Sequence, residues 1–355
     1  MKVDKRLQFS TLGFAQSTIW VLFLCCSLTI SACGGNDDGL SQPAPEEPDN
    51  HPSQVETVMN ELWETSCLLS DKSVRIANYN TIQSWADVCP FDNVFLKYIK
   101  TDNVTAVALE KSYPALKCYD MAFDKVLNAL KTGLPAGASP RVWALYNMGI
   151  VVQTHKGNYA VDVYHRRGAE LAPYIDFYAI THIHADHKWE PLAVIMSELG
   201  KPVLTNFTIN GVNNSQYLST VEKDYTIGEF KIHSFITHHN SSDLATLAIT
   251  AFYVDGGGLK LLHSGDSNFI AEEFETMRDK EVDYYVFRYA VNSLTENNVL
   301  GKIVNPKVAV LSHILELGHK DIANSRWSFE LGLDRAGRLN CRTVAMPFWG
   351  DYMSM

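Results

Sequence analysis

Residues 182–187 read His-Ile-His-Ala-Asp-His and place four potential metal ligands within six positions. The residues before them, 174–181, are apolar and rich in β-forming side chains, so the ligands follow the end of a buried strand. Imidazole together with carboxylate suits zinc, and iron or manganese with less preference. A polar loop with chance histidines is the alternative, but average composition makes so dense a group very rare. The run therefore predicts a metal site at a strand end.

The whole chain has the composition of an ordinary globular protein. Its 355 residues are enough for one large domain or one and a half typical ones. A hydrophobic content of 46% and a charged content of 20% indicate a globular rather than a disordered protein. The net charge of −10 argues against nucleic acid as a partner, because proteins that neutralise phosphates usually carry a basic face. We therefore expect a small-molecule substrate, which a metal could hold even if it is phosphorylated. The sequence leaves the oligomeric state open.

The N-terminal residues have the pattern of a secretory signal. A basic start is followed by the apolar residues 19–28, a stretch too short for a comfortable transmembrane helix. Residues 30–33 read Ile-Ser-Ala-Cys, which resembles the bacterial lipobox. This resemblance implies a signal peptide over residues 1–32, cleavage before Cys33 and a lipid on that cysteine, which would anchor a soluble body to a membrane. An uncleaved signal anchor is the alternative.

Residues 33–53 are rich in Asp, Glu, Pro and Gly and have almost no core-forming side chains, so they are expected to form an acidic flexible tether. The acidic residues 37 and 38 resemble signals that send lipoproteins of some Gram-negative groups to the outer face. We therefore expect a lipid-anchored lipoprotein of the cell envelope, on the outer membrane or cell surface rather than on the inner membrane.

Four cysteines remain beyond the predicted signal and lipid site: Cys67, Cys89, Cys118 and Cys341. Export makes disulfides possible, and a bridge between Cys67 and Cys89 is the first expectation because both lie in the same helical region. The sequence has no CxxC pair, which argues against a cysteine zinc site.

The rest of the chain divides into a helical and an alternating part. Helical spacing over 55–69 and 104–130 predicts a helical extension over residues 54–135, kinked or divided at Pro114. Scaffold helices are favoured there over a substrate lid. Beyond it, strands are predicted at 142–152, 159–163, 174–181, 202–205, 229–237, 247–254, 259–263, 284–287 and 308–311, with helices at 166–171, 189–199 and 271–280. This alternation favours an α/β sandwich of mixed sheets over residues 136–355.

Three further strand ends after 182–187 carry single ligands: a histidine at 238 or 239, Asp266 and His313. In this order and at these places the chain resembles the metallo-β-lactamase-fold hydrolases, whose signature is HxHxDH followed by His, Asp and His. The resemblance covers roughly Arg141 to the last residue. It implies an αββα sandwich of two mixed β-sheets, here with an N-terminal helical extension.

The resemblance implies two divalent metal ions, with zinc favoured and iron or manganese compatible. Positions 182 and 184 point the same way in an extended segment, so both imidazoles can reach one ion. The implied ligands are three histidines for the first ion, an aspartate and two histidines for the second, and one bridging aspartate: His182, His184 and His239; Asp186, His187 and His313; and Asp266.

Some of these assignments have alternatives. His239 is favoured over His238 because its distance to the next strand fits the family, and His313 over His319 because His313 lies directly at a strand end. Asp162 stands where the family often has a structural aspartate, although a plain turn residue is equally compatible.

Other histidines are not expected to bind metal. His233 and His263 are predicted to be packed or hydrogen-bonded within the core, because they fall in or next to strands. His51, His155 and His165 are expected in the tether or on the surface.

The function implied by the resemblance is that of an exported, membrane-tethered hydrolase. Two ions would activate a shared hydroxide for attack on an ester-type substrate such as a phosphodiester, lactone or thioester. Asp186 could also accept or shuttle a proton. A bridging Asp266 favours the phosphodiesterase, lactonase and glyoxalase-like branches over β-lactam cleavage. Two alternatives remain: a non-catalytic metal-binding protein of the same fold, and a mononuclear iron oxidoreductase, because thiol dioxygenases share HxHxDH.

Overall fold

The computed structural model describes residues 53–69, 73–239, 247–289, 294–318 and 328–355. The predicted signal peptide, Cys33, most of the tether and His319 lie outside these ranges. Within them, every helix is too short or too polar to cross a membrane.

The first described elements are helices: α1 (Gln54–Glu64), α2 (Ser73–Asp87), α3 (Leu96–Lys100), α4 (Asn103–Ser112) and α5 (Pro114–Thr132). Ser53 begins α1 with a capping box, in which its side chain and that of Glu56 each bond the other's backbone N–H. Pro114 is the first residue of α5, a position where its missing N–H costs nothing. The expected break at this proline is therefore a division between two helices.

A buried ion pair joins these helices to the far end of the chain. Arg75 of α2 and Asp351 are 2% and 4% exposed, and a guanidinium nitrogen of Arg75 donates to the Asp351 carboxylate. The same guanidinium donates to the carbonyl oxygens of Leu62 and Thr65 and to the Tyr79 hydroxyl. Burial of a charge requires such complete pairing, so Arg75 fixes α1, α2 and the C-terminal segment together.

The remaining described chain forms a sandwich with thirteen strands: β1 (Arg141–Ala144), β2 (Ile150–Thr154), β3 (Gly157–Val161), β4 (Phe177–Ala179), β5 (Val203–Leu204), β6 (Lys223–Ile227), β7 (Phe230–His238), β8 (Ala248–Gly256), β9 (Leu259–His263), β10 (Val282–Arg288), β11 (Pro306–Ser312), β12 (Val344–Ala345) and β13 (Tyr352–Met353). Two helices accompany them, α6 (Glu190–Glu198) and α7 (Phe329–Ala336).

The strands make two mixed sheets. One has six strands in the order β13-β1-β2-β3-β4-β5, and the other has seven in the order β12-β11-β10-β9-β8-β7-β6. In the first, β3, β4 and β5 are parallel and the other pairs are antiparallel. In the second, β9 to β12 are parallel and β6 to β9 antiparallel.

Three apolar clusters separate four layers. The central one packs the inner faces of both sheets together, with residues such as Val152 and Val286. A second lies between the outer face of the six-stranded sheet and helices α5 and α6. The third covers the outer face of the seven-stranded sheet with helical residues and also includes the interior of the N-terminal helices. The expected αββα sandwich of two mixed sheets with N-terminal helices is thereby confirmed.

Several details differ from the sequence prediction. The predicted strand 142–152 is two strands, because Asn147 adopts φ 58° in a turn between β1 and β2. The predicted helices 166–171 and 271–280 are 3-10 helices at Gly168–Tyr174 and Ala271–Met277. β6 was missed because it is short and its two large apolar residues, Tyr225 and Ile227, alternate with charged and polar ones; it stands at a sheet edge.

The expected bridge between Cys67 and Cys89 is wrong. Both are buried thiols, and Cys118 and Cys341 are also thiols rather than half-cystines. Burial raises the pKa of the Cys67 thiol to about 12 and that of Cys118 still further, so both stay protonated and unreactive.

The surface placement of His165 is also wrong. Its ring is buried, stacked between Tyr119 and Phe123 at centroid distances of 4.3 and 4.0 Å. Its sequence neighbours are two arginines, which made it look like part of a polar loop.

Candidate metal centre

The run 182–187 lies in the loop after β4, at the edge where the carboxyl ends of parallel strands meet. His182 and His187 are buried, whereas His184 is half-buried and begins the 3-10 turn Ala185–His187. Ile183 points outward and is 48% exposed. Because successive side chains point to opposite sides of this extended segment, His182 and His184 face the interior and Ile183 faces the surface.

The structure brings the predicted ligands together in two groups. In each, one ligand atom per residue lies within 4.8 Å of every other: His182, His184, His239 and Asp266; and Asp186, His187 and His313. The groups have the composition expected from the sequence, and they are consistent with a dinuclear site. Nitrogen and carboxylate oxygen donors of this kind suit zinc, iron or manganese.

Asp266 connects the two groups. Its Oδ2 lies 3.4 Å from His239 Nε2 and 3.7 Å from His313 Nε2, and its Oδ1 lies 3.4 Å from His187 Nε2. Gly265 makes this position possible, because it adopts φ +50° and an added Cβ would lie 2.6 Å from the Thr181 hydroxyl oxygen. The carboxylate thus contacts both groups, with Oδ2 near His239 of the first and His313 of the second and Oδ1 near His187 of the second.

Asp162 orients two of the histidines from a fully buried position. Its Oδ1 accepts from the backbone N–H of Thr181, and its Oδ2 accepts from the Thr181 hydroxyl and from His187 Nδ1. The Thr181 oxygen lies 3.0 Å from His182 Nδ1, which donates to it because the hydroxyl proton is used on Asp162. Both imidazoles therefore carry their proton on Nδ1 and turn Nε2 toward the centre. These contacts favour a structural role for Asp162 over that of a plain turn residue.

His182 provides the test of whether these residues fit a metal. Among the described residues its buried Nε2 has no hydrogen-bond partner. Burial, and then the nearby His187, lower the pKa of His182 well below its usual value, so the ring is neutral and offers a lone pair. An unsatisfied buried acceptor is costly unless something binds it, and a cation surrounded by imidazoles and carboxylates satisfies it. The donor set therefore fits divalent metal ions.

Asp266 is held in its charged form. Burial alone would raise the pKa of Asp266, but His187 and further nearby cations hold it well below its usual range. Burial alone would lower the pKa of His187, yet Asp266 and Asp186 raise it well above its usual value. The centre thus attracts positive charge, which a proton supplies when no metal is bound.

The alternative ligand His238 lies outside both groups. Its ring is 43% exposed, and its Nδ1 and backbone N–H both bond the carboxylate of Glu273. His239 instead follows β7 and pairs with Ser267 in an isolated bridge, next to Asp266. His319, the alternative to His313, lies outside the described residues.

The remaining histidines have other partners. His233 bonds Asp224 and Thr276, and the buried His263 contacts the Met148 carbonyl oxygen, as expected for histidines of the strands. His155 is exposed on the surface.

Asn147 is a residue of the site that sequence reasoning missed. Its Nδ2 donates to Asp186 Oδ2 at 2.8 Å, and its backbone carbonyl accepts from the N–H of His313. It therefore fixes two members of the second group from the turn between β1 and β2. Its positive φ could not be read from the sequence, although asparagine tolerates that conformation better than most residues.

Two charged residues beside the centre were also missed. Arg288 Nη1 lies 3.3 Å from Asp266 Oδ2, and the buried Glu316 Oε2 lies 3.5 Å from His313 Nε2. The available signal was their position in the sequence: Arg288 directly follows the predicted strand 284–287, and Glu316 follows His313 by three residues.

No protein-family model matches this chain. No curated protein sequence matches it either. Among solved structures, it is similar to a metallo hydrolase from the archaeon Ignicoccus hospitalis, with 13% identity over 61% of this chain and 98% of that chain and a TM-score of 0.44. It is also similar to the metallo-β-lactamase-fold protein YhfI from Bacillus subtilis, with 15% identity over 61% and 100% and a TM-score of 0.42.

A third similar structure is a possible metal-dependent hydrolase from Veillonella parvula, with 11% identity over 62% of this chain and 100% of that chain and a TM-score of 0.45. Similarity at this level describes the fold alone. The chemistry of the site has to follow from the side chains of this protein.

Proposed function

We propose that this protein is a binuclear metal-dependent hydrolase that acts on ester-type bonds of a small molecule. The observation that carries the proposal is the sharing of one carboxylate, Asp266, between two groups of ligands. A metal needed only for structure is normally enclosed by a full set of protein ligands, whereas paired sites with shared ligands are typical of hydrolytic centres.

The residues of the chain have distinct tasks in this proposal. The seven ligands would hold two divalent ions, which supply Lewis-acid activation of water and of the substrate when bound. Asp162 and Thr181 keep the Nε2 atoms of His182 and His187 directed at the ions. Asp186 is the more accessible carboxylate, with 23% of its side chain exposed against 4% for Asp266. It can therefore contact substrate and accept a proton from the attacking water.

Metal analysis and one substitution test the function. Protein lacking residues 1–33 is expected to hold about two zinc ions per chain and to hydrolyse bis(p-nitrophenyl) phosphate. His184→Ala should abolish that activity, because it removes a donor that no neighbour replaces at the same place. His155→Ala, which changes an exposed histidine, is the control and should behave as the wild type. One tightly bound iron would indicate the oxidoreductase instead, and hydrolysis unaffected by His184→Ala would contradict the proposal.

We further propose that the protein is a lipoprotein attached to the cell envelope through Cys33, on the outer membrane or cell surface. The support is the sequence of the first 53 residues: basic start, short apolar stretch, Ser-Ala-Cys and an acidic tether. Mass spectrometry of the full chain expressed in a bacterium is expected to find an N-terminal peptide that begins with acylated Cys33. Cys33→Ser should abolish acylation. An intact residue 1–32 segment on the membrane-bound protein would indicate an uncleaved anchor.

A further inference from the structure

We infer that Arg288 binds an anionic oxygen group of the substrate, phosphoryl or carboxylate, next to the bond that is hydrolysed. This inference rests on the proposed function and narrows it from esters in general to negatively charged esters. It assigns to Arg288 a role in specificity rather than in holding the metal ions.

The topology of the seven-stranded sheet places Arg288 between ligands of both groups. β10 lies between β9 and β11, and the three strands are parallel. Asp266 follows β9, His313 follows β11, and Arg288 is the last residue of β10, paired with Ser312. Because the carboxyl ends of parallel strands meet at one edge, Arg288 stands between the bridging carboxylate and the last histidine.

The contacts of Arg288 leave it within reach of a substrate. Its Nη1 lies 3.3 Å from Asp266 Oδ2, yet its side chain is 14% exposed while that of Asp266 is only 4% exposed. Nη1 therefore lies beside the shared ligand, and a small part of the Arg288 side chain is accessible at the edge of the site. A guanidinium presents its donors in one plane, which suits two oxygens of a carboxylate or phosphoryl group.

The charge around Arg288 favours an anionic ligand once metal is bound. Asp266, Glu316 and Asp186 all act on Arg288 electrostatically, in this order of strength. Two divalent ions together with Arg288 would more than neutralise these three carboxylates and the buried Asp162. With both ions bound, a guanidinium beside them would raise the energy of the substrate-free site and lower that of a complex with an anion. A neutral ester gains nothing from this arrangement.

The competing explanation is that Arg288 only supports Asp266. It would then act on metal retention and not on the charge of the ligand. Arg288→Gln and Arg288→Lys separate the two, because both can still donate to Asp266 but only the lysine keeps the positive charge. Arg278→Gln is the matched control, since Arg278 is 48% exposed and pairs with Glu275 in a different part of the fold.

The first measurement is binding of inorganic phosphate, and separately of acetate, to the zinc-loaded proteins by calorimetry, with metal content determined on the same samples. We expect Arg288→Gln to keep the metal content of the wild type and to bind one or both anions at least about tenfold more weakly, because a charge-assisted hydrogen bond is lost. Arg288→Lys should lose less of its affinity for these anions, because lysine keeps the positive charge. Whichever anion shows the larger loss identifies the group that is recognised.

The second measurement compares an anionic with a neutral substrate. For Arg288→Gln, KM for bis(p-nitrophenyl) phosphate should rise at least about tenfold, while KM for p-nitrophenyl acetate should change less than about twofold. Loss of metal in both Arg288 variants, or affinities for both anions within about twofold of the wild type, would overturn the inference. Anion binding needs no turnover, so a wild type that binds phosphate but hydrolyses no ester contradicts only the proposed function.

Discussion

Asp266→Ala is expected to remove the metal ions and the hydrolytic activity together. Asp266 contacts His239 of the first ligand group and His187 and His313 of the second. Its loss should therefore weaken both sites, whereas loss of an outer ligand weakens mainly one. Substitution of residues that merely orient ligands typically costs roughly 10–100-fold in affinity or activity, so the loss here should exceed that range.

Metal content by mass spectrometry and hydrolysis of bis(p-nitrophenyl) phosphate are measured on the same preparation. Asp334→Ala is the control, because Asp334 of α7 is 56% exposed and pairs with Arg338 just beyond the end of that helix. It should keep the metal and the activity of the wild type. Full activity in Asp266→Ala would rule out the shared-ligand site.

Asp162→Ala is expected to destabilise the protein and to weaken metal binding, although Asp162 belongs to neither ligand group. The substitution leaves three buried donors without their acceptor: the Thr181 N–H, the Thr181 hydroxyl and His187 Nδ1. Breaking a buried network of this kind costs about 3–5 kcal/mol. His187 would also be able to rotate or to place its proton on Nε2, which excludes metal from that atom.

Urea unfolding with chelator present measures the first effect, and competition with a zinc indicator measures the second. Asp162→Asn is the matched variant: asparagine tolerates the positive φ of 50° and keeps one oxygen, so it should be intermediate in both. If Asp162→Ala and the wild type unfold at the same urea concentration with chelator present, the hydrogen bonds of Asp162 do not stabilise the fold.

The sequence predicted the parts of the centre that depend on local order. Each ligand follows a strand with a strong apolar or alternating pattern, and strands β7 to β11 were recognised within a few residues. The choice of His239 over His238 agrees with the grouping of the side chains, because spacing from a strand end determines which histidine reaches the centre. The division of the chain at Pro114 likewise follows from the chemistry of proline alone.

What the sequence did not predict depends on contacts between distant segments. Asn147 and Arg288 carry no motif, and the sheet order brings them beside ligands that are distant in sequence. The burial of His165 depends in the same way on α5, whose Tyr119 and Phe123 enclose its ring. Local patterns contain no information on such pairings, which tertiary packing decides.

The ion pair between Arg75 and Asp351 has a consequence for how this chain is made. The two residues are 276 positions apart, so α2 is synthesised long before the carboxylate that neutralises its buried cation. The side chain of Trp63 in α1 depends similarly on the backbone of Trp349. Contacts of such long range form late, because a large loop has to close first. Helices α1 and α2 therefore cannot complete their packing until residues 349–351 have been synthesised. A chain interrupted before that point leaves Arg75 and Trp63 without these partners.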